Sequence, residues 1–222
     1  MQTIHFHSSR GCLSYITFDP FSSEAALIDP SVEVGEAEYL DLLSSNGLIL
    51  KYIIETHTHA DHISCAKEIR AITQARIVRH AFAPSHIKDI AVEGGEKLSL
   101  GGDNLQVLST PGHTNESISL YNGQEVFTGD ALLIGGTGRT DFQVGNSADL
   151  YHSVHEVIAL MPGDTLVRPG HDYQDRNQAV LRDVLAENPR VQLTEPEFIE
   201  ALNAHHPPKP ELFEDAIEKN SL

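Results

Sequence analysis

The chain has 222 residues, of which 40% are hydrophobic and 21% are charged, a composition typical of a globular domain with a substantial core. Its 32 acidic and 15 basic residues give a formal net charge of −17, which argues against nucleic acid or an anionic membrane as a partner. No apolar run reaches the ~20 residues that cross a bilayer, and the N-terminus has no signal-like pattern, so we expect one cytoplasmic domain over residues 1–222.

Short apolar runs alternate with segments of helical spacing along the first half of the chain. Strands are predicted at 25–29, 48–54, 75–78 and 105–108, and a helix at 61–73 has its apolar residues on one side. The segments 117–121 and 125–128 flank Asn122-Gly123, a dipeptide that favours the tight turn of a β-hairpin.

The second half is predicted to be richer in helix. A helix capped by Ser147 runs to about Met161, a short strand follows at 166–168, and a further helix occupies 174–187. Thr194 and Glu197 fit a capping box for a last helix through about Leu202. The order of elements predicts packed sheets with helices outside and a short helical tail from about residue 190.

Side chains that bind metals recur directly after the predicted strands, at His57, His59, Asp61, His62, His113, Asp130 and His171. In an extended segment, residues two apart face the same side, so His57 and His59 can point to one place. If those strands share a sheet, their ends can converge on one cleft, with all seven side chains around it. Neutral imidazole and carboxylate suit zinc, iron(II) or manganese.

The run from His57 to His62, followed in order by His113, Asp130 and His171, resembles the signature of the metallo-β-lactamase superfamily. The resemblance implies an α/β (α+β) fold, namely an αββα sandwich of two mixed β-sheets with outer helices and a metal site at one edge. This fold hosts hydrolases, oxidoreductases and nucleases, so it does not by itself define the reaction.

Two branches of the superfamily are candidates, the persulfide dioxygenase (ETHE1-like) branch and the glyoxalase II branch. The segment Gly138-Arg-Thr-Asp-Phe-Gln143 resembles the persulfide dioxygenase branch. The glyoxalase II branch has a Gly-Arg-Phe-Phe-Glu-like run there and a longer helical C-terminal domain. The chain departs from the dioxygenase pattern at Thr137, where Cys is usual, and at Glu116, where Gly is common. It also ends in Asn220-Ser-Leu222, where many members end in Cys-Gly.

The dioxygenase resemblance implies an enzyme that oxidises glutathione persulfide with O2 to sulfite and glutathione, and it suggests a homodimer. The implied cofactor is one Fe(II) per chain, held by His57, His113 and Asp130. Two histidines and one carboxylate on one face of iron leave three positions open for substrate and dioxygen.

The alternative is a two-metal glyoxalase II-like hydrolase of glutathione thioesters, in which zinc is a possible cofactor. There His59 would join the first metal, while Asp61, His62 and His171 would hold a second metal bridged by Asp130. In the dioxygenase reading these four residues surround the iron ligands without binding a second ion.

The remaining expectations concern substrate contacts and cysteines. Arg139 and Tyr173 are predicted substrate-binding residues, although Arg139 could instead brace the loop through Asp141 and Tyr173 could simply pack. Cys12 and Cys65 are expected to be small buried residues. The other histidines, His205 and His206 among them, show no partner pattern.

Overall fold

The structure is a computed structural model that describes residues 1–204 and 207–221, so His205 and His206 lie outside the described residues. Within the described residues, twelve strands form two sheets of six. The first sheet contains, in spatial order, β1 (Gln2–His7), β2 (Leu13–Phe18), β3 (Glu24–Ile28), β4 (Ile49–Ile54), β5 (Arg76–His80) and β6 (Ile90–Val92). The second contains β7 (Lys97–Leu100), β8 (Asp103–Ser109), β9 (Ile118–Tyr121), β10 (Glu125–Gly129), β11 (Leu166–Pro169) and β12 (Ala179–Val180).

Both sheets are mixed, as the resemblance to the metallo-β-lactamase superfamily implies. In the first sheet β1, β2 and β3 pair antiparallel, whereas β3 to β6 pair parallel. In the second sheet β10 and β11 are parallel and the other pairs are antiparallel. The helices are α1 (Glu36–Ser45), α2 (Ala66–Thr73), α3 (Ser147–His152), α4 (Leu181–Glu187), α5 (Glu195–Ala204) and α6 (Phe213–Ser221).

Three apolar clusters make up the core, and several strands contribute to two of them, which explains why those strands are apolar on both faces. In β3, Ala26 and Ile28 point between the two sheets, while Ala25 and Leu27 pack toward α1 and α2. A strand covered on both faces reads as a continuous apolar run rather than an alternating one. A third cluster lies between the second sheet and helices α3 to α5. The layers are therefore helix, sheet, sheet, helix.

Two predicted helices begin later than expected. The helix predicted from Asp61 starts at Ala66, because the side chains and carbonyl groups of residues 59–64 are used in the polar site. The helix predicted from Gln174 starts at Leu181. Asp172 Oδ2 accepts hydrogen bonds from the Gln174 and Arg176 amides, which holds that segment as a turn, and β12 then joins the sheet.

Helix boundaries near the predicted caps also differ. Asn146, not Ser147, caps α3, since its side chain accepts hydrogen bonds from the Ala148 and Asp149 amides. The helix continues as a π-helical turn to Ile158 rather than to Met161. Glu197 accepts a hydrogen bond from the Thr194 amide, as in a capping box, but α5 is not the last helix because α6 follows it.

Among the described residues, no helix combines the length and the apolar character that crossing a bilayer requires.

Candidate metal centre

The ligand-type residues come from both sheets and meet at one end of the sandwich. His57 lies in the loop after β4 of the first sheet, whereas His113, Asp130 and His171 follow β8, β10 and β11 of the second. Backbone hydrogen bonds fasten these strand ends to one another, from Ile118 N to Thr56 O at 2.8 Å and from Gly170 N to Gly129 O at 2.8 Å. The predicted convergence of strand ends is confirmed, although the strands do not share one sheet.

His57, His113 and Asp130 form the first group of potential ligands. One ligand atom of each lies within 4.8 Å of those of the other two. His113 Nδ1 lies 2.7 Å from the Arg139 carbonyl oxygen, so this nitrogen is the donor and Nε2 keeps its lone pair. His113 Nε2 is 3.6 Å from Asp130 Oδ2. The group thus presents imidazole nitrogen and carboxylate oxygen to a common point.

A hydrogen-bond chain fixes the tautomer of His57. The Thr56 hydroxyl donates its single proton to Asp29 Oδ2 at 2.8 Å, so it can only accept from His57 Nδ1 at 3.0 Å. His57 Nε2 therefore carries a lone pair, and this buried atom has no hydrogen-bond partner within the described part of the chain. A buried polar atom without a partner is rare unless a ligand or water satisfies it. This orphaned nitrogen fits a metal ion.

A second group lies beside the first and contains Asp61, His62 and His171. His171 is clamped between two carboxylates, with Nδ1 2.6 Å from Asp130 Oδ1 and Nε2 2.8 Å from Asp61 Oδ2. His62 Nδ1 is 3.2 Å from the same Asp61 oxygen, and His62 Nε2 lacks a partner among the described residues. The structure thus brings the predicted second set together, with Asp130 between the two groups.

Cys12 joins this second group, which the sequence did not predict. It is buried as expected, but its Sγ donates to Asp61 Oδ2 at 3.1 Å, and its backbone bridges that of His171. Cys12, Asp61, His62 and His171 bring their ligand atoms within 4.8 Å of one another. The residues around Cys12 show no metal-binding pattern, because its partner Asp61 lies 49 positions away along the chain. Cys65 is buried just before α2 and matches its expected role.

The Nε2 atom of His59 is held by two carboxylates and is not part of the first ligand group. Its Nε2 lies 3.1 Å from both Asp29 Oδ1 and Glu55 Oε2, while Nδ1 is buried without a partner in the described residues. Its ring centre is 4.2 Å from that of His57 and 4.1 Å from that of His62. His59 thus lies between the two groups, anchored by two buried carboxylates that sequence reasoning missed.

The charges of the site act strongly on one another. Burial, followed by neighbouring His59 and His113, holds the pKa of His57 well below its usual range, so this ring is neutral and able to bind a metal. Burial raises the pKa of Asp130, but the charge of His171 outweighs it and holds that pKa low. Burial lowers the pKa of His171, yet the Asp130 and Asp61 carboxylates raise it well above the usual value. A carboxylate at position 130 is therefore ionised at neutral pH.

A cavity of about 600 Å³ opens beside these groups and is lined by His113, Asp130 and His171. Much of its remaining wall comes from the loop after Asp130 and from the C-terminal segment 207–213. The predicted contacts Arg139 and Tyr173 both line it. Tyr173 is 78% exposed and lies with its ring stacked 6.3 Å from that of His171, so it is accessible from the cavity.

Arg139 is held in the bracing arrangement. Its Nε and Nη2 donate to the two Asp141 oxygens at 2.6 and 2.7 Å, and its Nη1 and Nη2 donate to the carbonyls of Pro208 and Pro207. Arg190 also lines the cavity, and its Nη1 donates to the carbonyl and hydroxyl of Thr137 rather than to a carboxylate. Arg190 is a cationic cavity residue that sequence reasoning missed.

Two of the three departures from the dioxygenase pattern, Glu116 and Thr137, have clear structural roles. Glu116 is buried, and its Oε1 accepts a hydrogen bond from the Thr58 amide at 2.7 Å, which braces the metal-binding loop. Thr137 binds Arg190, as described above. Gly138 has no room for a side chain, since an added Cβ would lie 2.5 Å from Asp130 O and 2.7 Å from His113 Nδ1.

Comparisons with known proteins agree with this geometry. Residues 21–171 match the family model of the metallo-beta-lactamase superfamily. The human protein "Persulfide dioxygenase ETHE1, mitochondrial" is 38% identical over 212 residues, covering 93% of this chain and 82% of the human one. The crystal structure of ETHE1 from Myxococcus xanthus superposes with a TM-score of 0.96 at 37% identity, covering 100% of this chain and 98% of that one. A cytoplasmic hydroxyacylglutathione hydrolase of Arabidopsis thaliana is 30% identical over 229 residues, covering 99% of this chain and 86% of the plant protein.

Proposed function

The chain belongs to the metallo-β-lactamase superfamily and to its persulfide dioxygenase branch, and we propose that it oxidises glutathione persulfide at a single non-haem iron. The overall reaction joins glutathione persulfide, O2 and water to form glutathione and sulfite. The observation that carries the proposal is the group His57, His113 and Asp130, set beside a cavity of about 600 Å³. Such a volume suits a small thiol compound.

His57, His113 and Asp130 would hold the iron through Nε2, Nε2 and a carboxylate oxygen. Two neutral imidazoles and one carboxylate form the facial set typical of non-haem iron oxygenases. When bound, iron(II) supplies redox chemistry toward dioxygen and open positions for ligands. The carbonyl of Arg139 and the hydroxyl of Thr56 orient the two rings.

The chain's own residues bind and orient the substrate. Arg190 places a cation in a molecule of net charge −17, and its hydrogen bonds leave it free of carboxylate partners among the described residues. We assign it to a glutathione carboxylate, for which a guanidinium offers two parallel donors. Tyr173 covers the substrate near His171, and Arg139 holds the wall of the cavity in place.

His171, paired with Asp130 and Asp61, is the residue that we assign to proton transfer in the reaction. Water must add as the oxidised outer sulfur is released as sulfite, and protons are released in that step. Because His171 lies between two carboxylates, its protonated form is stabilised, so it holds a proton beside the cavity that the departing glutathione sulfur can take up.

The second candidate is hydrolysis of a glutathione thioester at two metals. The second group, Asp61, His62 and His171 beside Asp130, favours it, as does the similarity to the Arabidopsis hydrolase. The two candidates separate in one comparison: protein loaded anaerobically with iron is supplied with glutathione persulfide in an oxygen electrode and, in parallel, with a glutathione thioester. We expect oxygen uptake with the persulfide. Thioester hydrolysis without oxygen uptake would reject the proposal in favour of the hydrolase.

Replacing His62 by alanine is expected to leave most of the iron bound. His62 contacts Asp61 and lies outside the group formed by His57, His113 and Asp130, so a one-iron site keeps all of its ligands. Metal analysis of the purified variant measures this directly. His86→Ala, an exposed histidine away from the cavity, is the matched control. Loss of all metal from the His62 variant alone would favour two metals.

Three further expectations remain part of the proposal. These are that residues 1–222 form one domain with a helical tail from about residue 190, that two chains form a homodimer, and that the protein works in the cytoplasm. No nucleic acid or membrane partner is included, because the net charge of −17 disfavours both.

A further inference from the structure

Asn220, near the end of α6, contacts the loop that carries the ligands. Asn220 is 3% exposed and shares the buried face of α6 with Ala216, whereas the rest of this mainly polar helix is half-buried or exposed. The side-chain amide donates to His59 O at 2.9 Å and to His62 O at 2.8 Å. The side-chain oxygen accepts a hydrogen bond from the Ser64 amide at 2.9 Å. One planar group thus binds three backbone positions within the metal-binding loop.

This loop needs such support because it has no regular structure. Residues 57–65 belong to the connection between the end of β4 and the start of α2, and they carry His57, His59, Asp61 and His62 without a helix or strand of their own. Buried backbone carbonyls require donors, and in a loop these must come from elsewhere in the chain. Both amide hydrogens of Asn220 serve this purpose, so its orientation is defined by the loop it holds.

The far side of the loop is held by other residues. Thr58 N donates to Glu116, and Thr58 O accepts from Gln143 Nε2 at 2.5 Å. Asn220 acts on the opposite half, at His59, His62 and Ser64. The loop is therefore fixed at both ends by side chains from distant segments.

Helix α6 is itself attached firmly enough to position the loop. The Asn220 carbonyl accepts a hydrogen bond from Nη1 of the buried Arg79 at 2.8 Å, and the Lys219 carbonyl accepts one from Lys67 at 3.2 Å. Cations suit these groups because the last carbonyls of a helix lack partners within it. At the other end of α6, the Phe213 ring packs 4.7 Å from that of Phe142, in the cavity wall.

We propose that Asn220 is a positioning residue for the metal centre. Through this side chain, α6 holds the metal-binding loop in the conformation that binds the metal. The proposal rests on the metal site assigned above. Asn220 touches neither metal nor substrate, and it acts through the backbone between His57 and α2. Partners of this kind commonly change metal affinity by about 10- to 100-fold when they are replaced.

The test uses Co(II) titrated into the metal-free full-length protein, with visible absorption as the readout. Asn220→Asp keeps the size of the side chain but replaces two donors with an acceptor facing two carbonyls. Asn220→Ser keeps one donor and covers the case in which the aspartate variant does not fold. Asn203→Asp makes the same chemical change at an exposed position on α5 and serves as the control. Circular dichroism of each metal-free variant establishes that titrations are made on folded protein.

We expect Asn220→Asp to weaken Co(II) binding about 10-fold or more and to alter the absorption band, with Asn220→Ser in between and Asn203→Asp unchanged. Wild-type affinity and band shape in a folded Asn220 variant would overturn the proposal. An equal loss in Asn203→Asp would also overturn it, since added charge alone would then explain the effect. Because the readout is metal binding, it is independent of whether the enzyme consumes oxygen with persulfide.

Discussion

Replacing Asp130 by alanine is expected to remove metal binding and activity together. Asp130 supplies the only carboxylate of the first ligand group, and it is ionised because nearby His171 and His113 hold its pKa low. Its loss leaves two neutral imidazoles, which bind a divalent cation far less well than a set that includes a negative charge. We expect metal affinity to fall by more than the roughly 10- to 100-fold that is typical of partners outside the ligand set.

The measurements for this variant are metal content after dialysis and the rate of oxygen uptake. Asp130→Asn separates the effect of the negative charge from that of side-chain size, because only the charge is removed. We expect this variant to lose metal as well. Asp41→Ala, at an exposed position on α1, is the control and should behave as wild type. Stoichiometric iron in folded Asp130→Ala protein would show that the ligand assignment is wrong.

The second large effect is expected from Gly138→Ala. The added Cβ would lie 2.5 Å from Asp130 O and 2.7 Å from His113 Nδ1, closer than atoms approach in folded proteins. To relieve this contact, the His113 ring or the backbone after Asp130 must move, which breaks the bond from His113 to the Arg139 carbonyl. We expect a loss of about 1–3 kcal/mol in stability and an activity drop of at least about 10-fold.

Gly136→Ala is a matched control two residues away. A Cβ at Gly136 meets no atom within 4 Å, so this variant should retain wild-type stability and activity. Thermal denaturation and initial rates of both variants are sufficient to test the prediction. Normal activity of Gly138→Ala would mean that the tight packing of Gly138 on His113 does not matter for catalysis.

The sequence predicts the polar end of the sandwich well, for a physical reason. His57, His113, Asp130 and His171 each follow an apolar strand, and strand ends are where loops bring side chains together. The hairpin of β9 and β10 is also confirmed, because Asn122-Gly123 favours its tight turn. These features depend on local pattern, which a sequence displays directly.

What the sequence could not predict depends on contacts between distant segments. Cys12 reaches Asp61 across 49 positions, and Asn220 reaches His59 across 161, so no local spacing links either pair. Helix α6 was not predicted either. Its short polar sequence has few apolar positions, and tertiary contacts such as that of Arg79 with Asn220 hold it in place.

The late start of α2 has the same kind of cause. The periodicity of Ile63, Ala66 and Ile69 favours a helix from Asp61 onward, but polar contacts dominate there. Asp61 is bound to His171, and Asn220 holds the carbonyls of His59 and His62. A helix from Asp61 would break these interactions, so the metal-binding loop extends to Cys65 before the helix begins.

The most direct test of the proposed function is the stoichiometry of the reaction with glutathione persulfide. Iron-loaded protein is mixed with a limiting amount of the persulfide, and the oxygen consumed and the sulfite formed are measured in the same sample. We expect about one O2 consumed and one sulfite formed per persulfide, with activity proportional to bound iron up to one ion per chain. No oxygen consumption by iron-loaded protein, together with rapid hydrolysis of a glutathione thioester, would contradict the proposed function.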